Sequence, residues 1–157
     1  MLIQKLSNKW LALGLAAHYL ARRQPFGGFR SEDLVKTLNA QIERGRYLFA
    51  MEAAGENARV IGYFGWSLYG HDEAERFAAT GIPPAERVGD DGEVIWLMTA
   101  AAESRAAFFG LIRATRAAHP THRVMGIRHK AGQKVTFDQW RSRDLRTDVA
   151  ETEIFQG

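Results

Sequence analysis

The sequence predicts an α/β (α+β) protein in which a mixed, mostly antiparallel sheet is flanked by helices. The stretch Glu93–Thr99 is a short apolar run without alternation, which is typical of a strand covered on both faces. It leads into Glu103–His119, where apolar residues recur at helical spacing until Pro120 ends the pattern. A strand that runs directly into a helix is a common place for a site, because ligands gather at the carboxyl ends of strands.

Two amphipathic helices are predicted ahead of the sheet. The first covers Asn8–Arg23 and is expected to bury one stripe of apolar residues, namely Leu6, Trp10, Leu13, Ala17 and Leu20. The second is expected to begin at Ser31 as its N-cap and to end at Gly45. Its predicted buried face consists of Leu34, Val35, Leu38 and Ile42.

The next predicted elements are strands. Tyr47–Met51 and Val60–Leu68 flank Gly55-Glu56-Asn57, which predicts an antiparallel hairpin. Gly62 and Gly65 inside the second strand indicate a bulge or a close approach of another part of the chain.

A last hairpin is predicted from Val124–Arg128 and Lys134–Phe137, with Gly132 in its turn. The central strand is then expected to lie between Val60–Leu68 and this hairpin. The sequence shows no internal repeat and no domain boundary. We therefore expect a single domain over residues 1–157, in which residues 141–157 form a loose tail.

The composition is that of a globular protein, with 46% hydrophobic and 25% charged residues. The absence of cysteine removes disulfide frameworks and cysteine metal sites, and no metal is expected. The apolar segment Trp10–Ala21 is too short to span a bilayer. Arg22 and Arg23 follow it where a secretory signal would need small residues, so we expect a cytoplasmic protein without a membrane span.

Positive charge is concentrated in the C-terminal third of the chain. From Arg105 to Arg146, ten Lys and Arg residues accompany only Asp138 and Asp144, a net charge of +8 in a chain whose total is +3. Such a segment indicates an acidic partner, such as nucleic acid, anionic lipid, a phosphorylated cofactor or an acidic protein, or else a solvated basic face. A nucleic-acid-binding function is disfavoured, because no binding motif or interleaving of arginine with aromatic residues is present.

A series of short motifs points to one family. The run RVIGYFGWSL at Arg59–Leu68 is followed by an acidic helix at His71–Ala79 and later by an apolar strand and a helix that ends in Ala118-His119-Pro120. The next strand ends in Arg128. These features, in this order, resemble the RTX toxin-activating lysine acyltransferases, the hemolysin-activating family.

The resemblance implies a GNAT-like fold and an enzyme that moves a fatty acyl chain from acyl carrier protein to lysine side chains of a protein toxin or peptide. Acyl-acyl carrier protein would be the donor, with no tightly bound cofactor, and a homodimer is left open. Two features of the sequence agree. Thr99–Ser104 has no glycine-rich phosphate loop, and Glu103 would repel phosphate at the start of the helix. The basic C-terminal third would suit the acidic surface of a carrier protein.

The positions that match the family's catalytic histidine and aspartate are substituted by Phe26 and Leu97. A lysine side chain has a pKa of about 10.4, so its amine must lose a proton before it attacks a thioester. Neither Phe26 nor Leu97 can accept that proton. His18 is the histidine ahead of the sheet, and with a usual pKa of about 6.5 for this residue type it is the candidate base. The alternative is a catalytically inactive relative that keeps the acyl-carrier or protein-binding surface.

Two groups of residues are candidates for binding. Trp66 and Trp96 on neighbouring strands could line an acyl-chain groove, although such aromatic residues are more often part of a core. Arg113, Arg116 and Arg128 are expected to bind an acidic protein, and Arg128 could instead form a structural ion pair. The functions that remain are therefore acyl transfer, protein binding without catalysis, and nucleic-acid binding.

Overall fold

The computed structural model of the 157-residue chain describes residues 1–52, 58–85, 92–130 and 133–139. In this part of the chain, a short strand and two helices precede the other five strands, which occur as two consecutive pairs with a single strand between them. In chain order the elements are β1 (Leu2–Gln4), α1 (Lys9–Leu20), a 3₁₀ turn (Phe26–Gly28), α2 (Ser31–Glu43), β2 (Tyr47–Glu52), β3 (Arg59–Tyr69), α3 (His71–Thr80), β4 (Val94–Ala102), α4 (Arg105–Ala118), β5 (Arg123–Lys130) and β6 (Gln133–Gln139).

The six strands form one sheet whose spatial order follows the chain order. The pairs β1–β2, β2–β3 and β5–β6 are antiparallel, whereas β4 and β5 are parallel over Val94–Leu97 and Arg123–Gly126. A parallel pair needs a crossover connection, and α4 lies in that connection. The predicted mixed, mostly antiparallel α+β fold is therefore confirmed, as is the position of β4 between β3 and β5.

The chain divides into two compact units. The first consists of Met1–Trp66 and Thr99–His119, and the second contains the described residues of Ser67–Met98 and Pro120–Gly157. The single domain expected over residues 1–157 stays a prediction. The expected tail, residues 141–157, lies outside the described residues.

The core of the first unit joins α1 and α2 to β2 and β3. The rings of Phe49 and Tyr63 meet edge-on with their centroids 5.1 Å apart, and that of Tyr47 stacks on Tyr63 at 6.3 Å. Each fully buried side chain of Leu or Phe size stabilises the fold by about 1.5–3 kcal/mol. The buried residues are Ala12, Ala16, Tyr19, Leu20, Phe26, Leu34, Leu38, Ile42, Tyr47, Phe49 and Tyr63.

The second unit has its own aromatic core. The rings of Phe77 on α3 and Trp96 on β4 are stacked, with their centroids 4.3 Å apart. Helix α3 is closed at both ends, since the Gly70 N–H donates to Oε1 of Glu73 (3.0 Å) and Gly81 ends the helix at φ +69°. The cluster consists of Tyr69, Ala74, Phe77, Val94, Trp96 and Met125.

The face that α1 buries follows the prediction in part, and the clear exception is Trp10. The helix begins after Asn8, whose Oδ1 accepts the N–H of Leu11 at 3.0 Å. Trp10, expected in the core, is 81% exposed. Leu20 is buried as predicted, and Leu6, Leu13 and Ala17 are partly buried against the core. The other buried residues of the helix are Ala12, Ala16 and Tyr19. Apolar residues occur on nearly every side of α1, so their spacing does not determine which side faces the core.

Helix α2 follows the prediction except at two residues. Ser31 is the first helical residue rather than the N-cap, and Arg30 at the cap position makes no side-chain capping bond. Val35 is 42% exposed, whereas the other three residues of the predicted face, Leu34, Leu38 and Ile42, are buried. Gly45 ends the helix at φ +65°, a conformation that glycine adopts without strain, as predicted.

The predicted antiparallel pairing of β2 with β3 is confirmed, and it contains a bulge. Ala50 pairs with Gly62 but the next residue, Met51, pairs with Val60. Ile61 is therefore an extra residue on β3, next to one of the two glycines that indicated a bulge. The predicted turns at residues 55–57 and at Gly132 lie outside the described residues.

Candidate functional site

The candidate site is the junction where β4 ends and α4 begins, in the first unit. Ser104 is the N-cap of α4, and its Oγ accepts the N–H of Ala107 at 3.1 Å. The N–H of Glu103 donates to the carbonyl oxygen of Ile61 at 2.8 Å. This bond fixes Glu103 beside the bulge of β3, so the β3 bulge and the α4 cap together set the position of its carboxylate.

Two arginines hold the carboxylate of Glu103. Its Oε1 lies 2.6 Å from Nη2 of Arg23, and its Oε2 lies 2.7 Å from Nη1 of Arg59. Arg59 also binds Oε2 of Glu52 through its Nε at 2.8 Å. The hydrogen bond to Glu103 is the main reason why the pKa of Arg59 is raised. Because two guanidinium groups neutralise Glu103, charge repulsion is a weaker barrier to phosphate at this helix start than the sequence indicated.

Tyr19 and Arg23 extend this cluster to α1. The guanidinium carbon of Arg23 lies 3.5 Å from the centroid of the Tyr19 ring, and its Nη1 donates to the Tyr19 carbonyl at 2.7 Å. Burial raises the pKa of Tyr19 to about 12, against the opposing effect of Arg23. At neutral pH the Tyr19 hydroxyl is therefore protonated, and each carboxylate oxygen of Glu103 is bonded to an arginine. The cluster links the end of α1, strand β3 and the start of α4.

A second polar cluster is buried behind the junction. Oε1 of Gln41 on α2 accepts hydrogen bonds from the hydroxyls of Tyr63 on β3 (2.9 Å) and Thr99 on β4 (3.0 Å). Desolvation raises the pKa of Tyr63 far above its ordinary value, so its hydroxyl stays a donor. A Cβ at Gly65 would overlap the amide of Gln41, so glycine is needed there. This is the close approach that the glycines of β3 indicated.

One donor of this cluster is unsatisfied in the described part of the chain. The Nε2 of Gln41 is buried and has no hydrogen-bond partner there. Rotating the amide by 180° would exchange Nε2 and Oε1 and would leave Oε1 without a partner instead. One polar atom of the Gln41 amide is therefore unpaired in either orientation. A buried amide in this situation is satisfied by a water or by a carbonyl oxygen of a bound group. Sequence analysis missed Gln41, although its place on the apolar stripe of α2 marks it as a polar residue in a core position.

The predicted catalytic positions lie in different surroundings. His18 is exposed on α1. Phe26 is 6% exposed in the core of the first unit, with its ring edge-on to Phe29 at 5.6 Å between centroids. Leu97 is 5% exposed on β4 in the second unit, opposite Gly126 of β5. Phe26 and Leu97 thus serve as apolar core residues, and a charge at either position would be costly without a partner.

The predicted tryptophans are both core residues, each 2% exposed. Trp66 meets His119 edge-on at 5.9 Å in the first unit, and Trp96 stacks on Phe77 in the second. Their role in an acyl-chain groove stays a prediction.

The predicted arginines differ from one another in exposure. Arg113 is exposed on the outer side of α4, whereas Arg116 on the same helix is partly buried. The side chain of Arg128 lies outside the described residues. The assignment of all three to a partner surface stays a prediction.

The described residues contain neither a metal-binding cluster nor a membrane-spanning helix. Within residues 1–52, 58–85, 92–130 and 133–139, no group of three His, Cys, Asp or Glu residues is arranged to hold a metal ion. In the same part of the chain, none of the helices has the length and apolar character needed to cross a membrane.

Comparison with known proteins gave no assignment: no protein-family model matches the sequence, and no curated protein matches it significantly.

Proposed function

We propose that the chain transfers a fatty acyl group from the thioester of an acyl carrier protein to a lysine amine of a protein or peptide. The observation that carries the proposal is the start of α4, directly after the central strand. In the proposed reaction the acyl donor is recognised as a protein rather than as a nucleotide-bearing coenzyme, and no cofactor is tightly bound.

The start of α4 supports a protein donor for a physical reason. A pyrophosphate at a helix N-terminus needs backbone N–H groups that are unoccupied and a glycine-rich approach. Here Ser104 already occupies the N–H of Ala107, and the turn from Thr99 to Ser104 contains no glycine. A carrier protein delivers its thioester on a flexible arm and is recognised by its folded surface, so this turn does not exclude it.

The proposed reaction requires a base. A base removes a proton from the lysine ammonium, the neutral amine attacks the thioester carbonyl, and the carbon–sulfur bond breaks to leave the carrier thiol, which takes up a proton. His18 is the candidate base, since the side chains of Phe26 and Leu97 have no titratable group. Its exposed place on α1 leaves its imidazole open to both proteins.

A second candidate function is protein binding without catalysis, and one observation favours it. Phe26 and Leu97 are packed into apolar cores at 6% and 5% exposure. A core side chain is retained for packing, and its presence at both catalytic positions is what a non-catalytic relative would show.

An acyl-transfer assay tests the proposal. The chain is incubated with acyl-loaded carrier protein and a lysine-containing protein or peptide, and the mass gain of the acceptor is measured. Loss of a general base lowers a rate by about 10²–10⁴-fold, so His18→Ala should slow transfer by about 100-fold or more. His71→Ala is the matched control, because this histidine is also on a helix surface and pairs with Glu93 at 3.3 Å. It should leave the rate unchanged.

Two results would change the conclusion. If the wild-type chain binds the carrier but adds no acyl group to any lysine acceptor offered, the non-catalytic function replaces the proposal. If His18→Ala and His71→Ala both transfer at the wild-type rate, acyl transfer stands and His18 is not the base.

A further inference from the structure

The solvent-facing side of α1 is apolar, which is unusual for a surface helix. Trp10 is 81% exposed and Leu11 is 52% exposed, and Gly14 and His18 are exposed on the same side. These four residues are called the outer face of α1 below. A surface helix normally turns charged and polar residues to water. Tryptophan is also the residue type most enriched among the anchors of protein interfaces.

Gly14 gives independent evidence that something approaches this face. It lies in the middle of α1, where glycine destabilises a helix relative to alanine. An added Cβ at Gly14 would meet nothing within 4 Å, so packing within the described chain does not require glycine there. By contrast, Gly65 and Gly62 are required by close neighbours, the amide of Gln41 and Cδ1 of Leu111. A glycine at an open helical position leaves room for the close approach of another molecule.

The charges in the N-terminal segment indicate the sign of the charge on the approaching molecule. Within residues 1–31 there is no Asp or Glu, and the cations are Lys5, Lys9, Arg22, Arg23 and Arg30. Lys9 is engaged by Glu43 at 2.7 Å and Arg23 by Glu103. Lys5 and Arg22 are exposed, and in the part of the chain that the structure describes neither forms an ion pair. The segment that contains the outer face therefore carries an excess of positive charge, which complements negatively charged groups.

The shape of the outer face favours a protein helix over a lipid surface. A bilayer interface is bound by a row of large apolar side chains that insert among lipids. Here a large residue, Trp10, is followed along the helix by Gly14 and then by Ala21, which is also exposed. Gly14 and the C-cap residue Ala21, about two helical turns apart, are small and leave room for the side-chain ridge of another helix.

We propose that the outer face of α1 docks an acidic helix of a partner protein. Resting on the proposed function, that partner is the acyl carrier protein. Trp10 and Leu11 then supply the apolar contact, Gly14 allows the two backbones to approach, and Lys5 and Arg22 face the carboxylates. His18 lies on the same face, so docking there brings the candidate base to the side of the chain from which the thioester arrives.

Calorimetric titration with purified acyl carrier protein, at low and at physiological salt, tests this surface. Trp10→Ala should weaken binding by about tenfold or more, as expected for an aromatic anchor. Gly14→Leu should weaken binding by a similar factor while the thermal stability of the chain stays the same or rises, a combination that a purely structural role cannot produce. Ile82→Ala is the matched control, because Ile82 is 71% exposed and lies in the second unit. It should bind as the wild type does.

The outcomes separate this inference from the proposed function. Carrier binding that is unchanged in Trp10→Ala and Gly14→Leu overturns the docking surface and leaves acyl transfer intact. Binding that depends on Trp10, in a chain that transfers no acyl group, supports the surface and removes the enzymatic function. Binding that depends on Trp10 to anionic lipid vesicles, with none to the carrier, overturns the protein partner.

Discussion

Helices α1 and α4 both belong to the first unit, but the residues on their solvent-facing sides differ in character. Helix α4 turns arginines outward, with Arg105 and Arg113 exposed, and buries Ala107, Phe108, Leu111, Ile112 and Thr115. Helix α1 buries Ala12, Ala16, Tyr19 and Leu20 and leaves Trp10 and Leu11 in solvent. The inner faces are alike, so the difference concerns what each helix meets on its outside. The outer side of α4 is charged, whereas the outer face of α1 exposes large apolar side chains, and the proposed docking surface rests on that difference.

The largest expected effect is a difference in the free energy of unfolding between a substitution on the inner side of α4 and one on the outer face of α1. Phe108 is 7% exposed and meets Phe64 edge-on at 5.3 Å, so Phe108→Ala should lower the free energy of unfolding by about 3–5 kcal/mol. Trp10→Ala should change it by no more than about 0.5 kcal/mol, because an exposed side chain has little packing to lose. Urea unfolding of both variants measures the difference. Equal losses would mean that Trp10 belongs to the core.

Gly65 and Gly14 should respond to substitution by alanine in opposite ways, because one is packed inside the first unit and the other faces solvent. Gly65→Ala should destabilise the chain by about 1–3 kcal/mol, since the new methyl group overlaps the amide of Gln41. Gly14→Ala should raise the free energy of unfolding by about 0.5–1 kcal/mol, since the site is open and alanine favours the helix. Thermal melts of the two variants should therefore shift in opposite directions. A downward shift for Gly14→Ala would show that its position is filled from within the chain.

The smallest expected effect is a decrease in the free energy of unfolding at alkaline pH, caused by Tyr19 on the buried side of α1. Tyrosine in an unfolded chain has a pKa of about 10, and burial raises that of Tyr19 to about 12. A raised pKa of the folded state means that this contribution to stability is complete below pH of about 10 and is lost as the pH rises through about 12. Tyr19→Phe should therefore lose less stability over this range than the wild type. Parallel stability curves for the two proteins would refute the assignment.

The sequence predicted an element correctly where a single local feature determined its structure. The apolar run of β4 and the glycine at the end of α2, Gly45, each allowed one interpretation, and both were confirmed. The exposure of Trp10 on α1 could not be predicted, because a helix that is apolar nearly all round satisfies several orientations.

The polar clusters of the candidate site show the same limit. The bonds of Glu103 to Arg23 and Arg59 join residues that lie 80 and 44 positions apart in the chain. No local spacing encodes such contacts. Gln41 was visible as a polar residue on an apolar stripe, but its partners Tyr63 and Thr99 depend on how α2 packs on the sheet. Local signals therefore determined the elements, and tertiary packing determined the site.

The fluorescence of Trp10 during titration with acyl carrier protein tests most directly whether the outer face of α1 is an interface. Trp66 and Trp96 are each 2% exposed and should not respond, whereas Trp10 is 81% exposed and should. Replacing Trp140 by Phe removes the remaining tryptophan from the signal. Docking on the outer face predicts a saturable shift of the emission to shorter wavelength as the indole leaves water, and the shift should be absent in Trp10→Phe. An emission maximum that stays constant while calorimetry shows the carrier binding would contradict it.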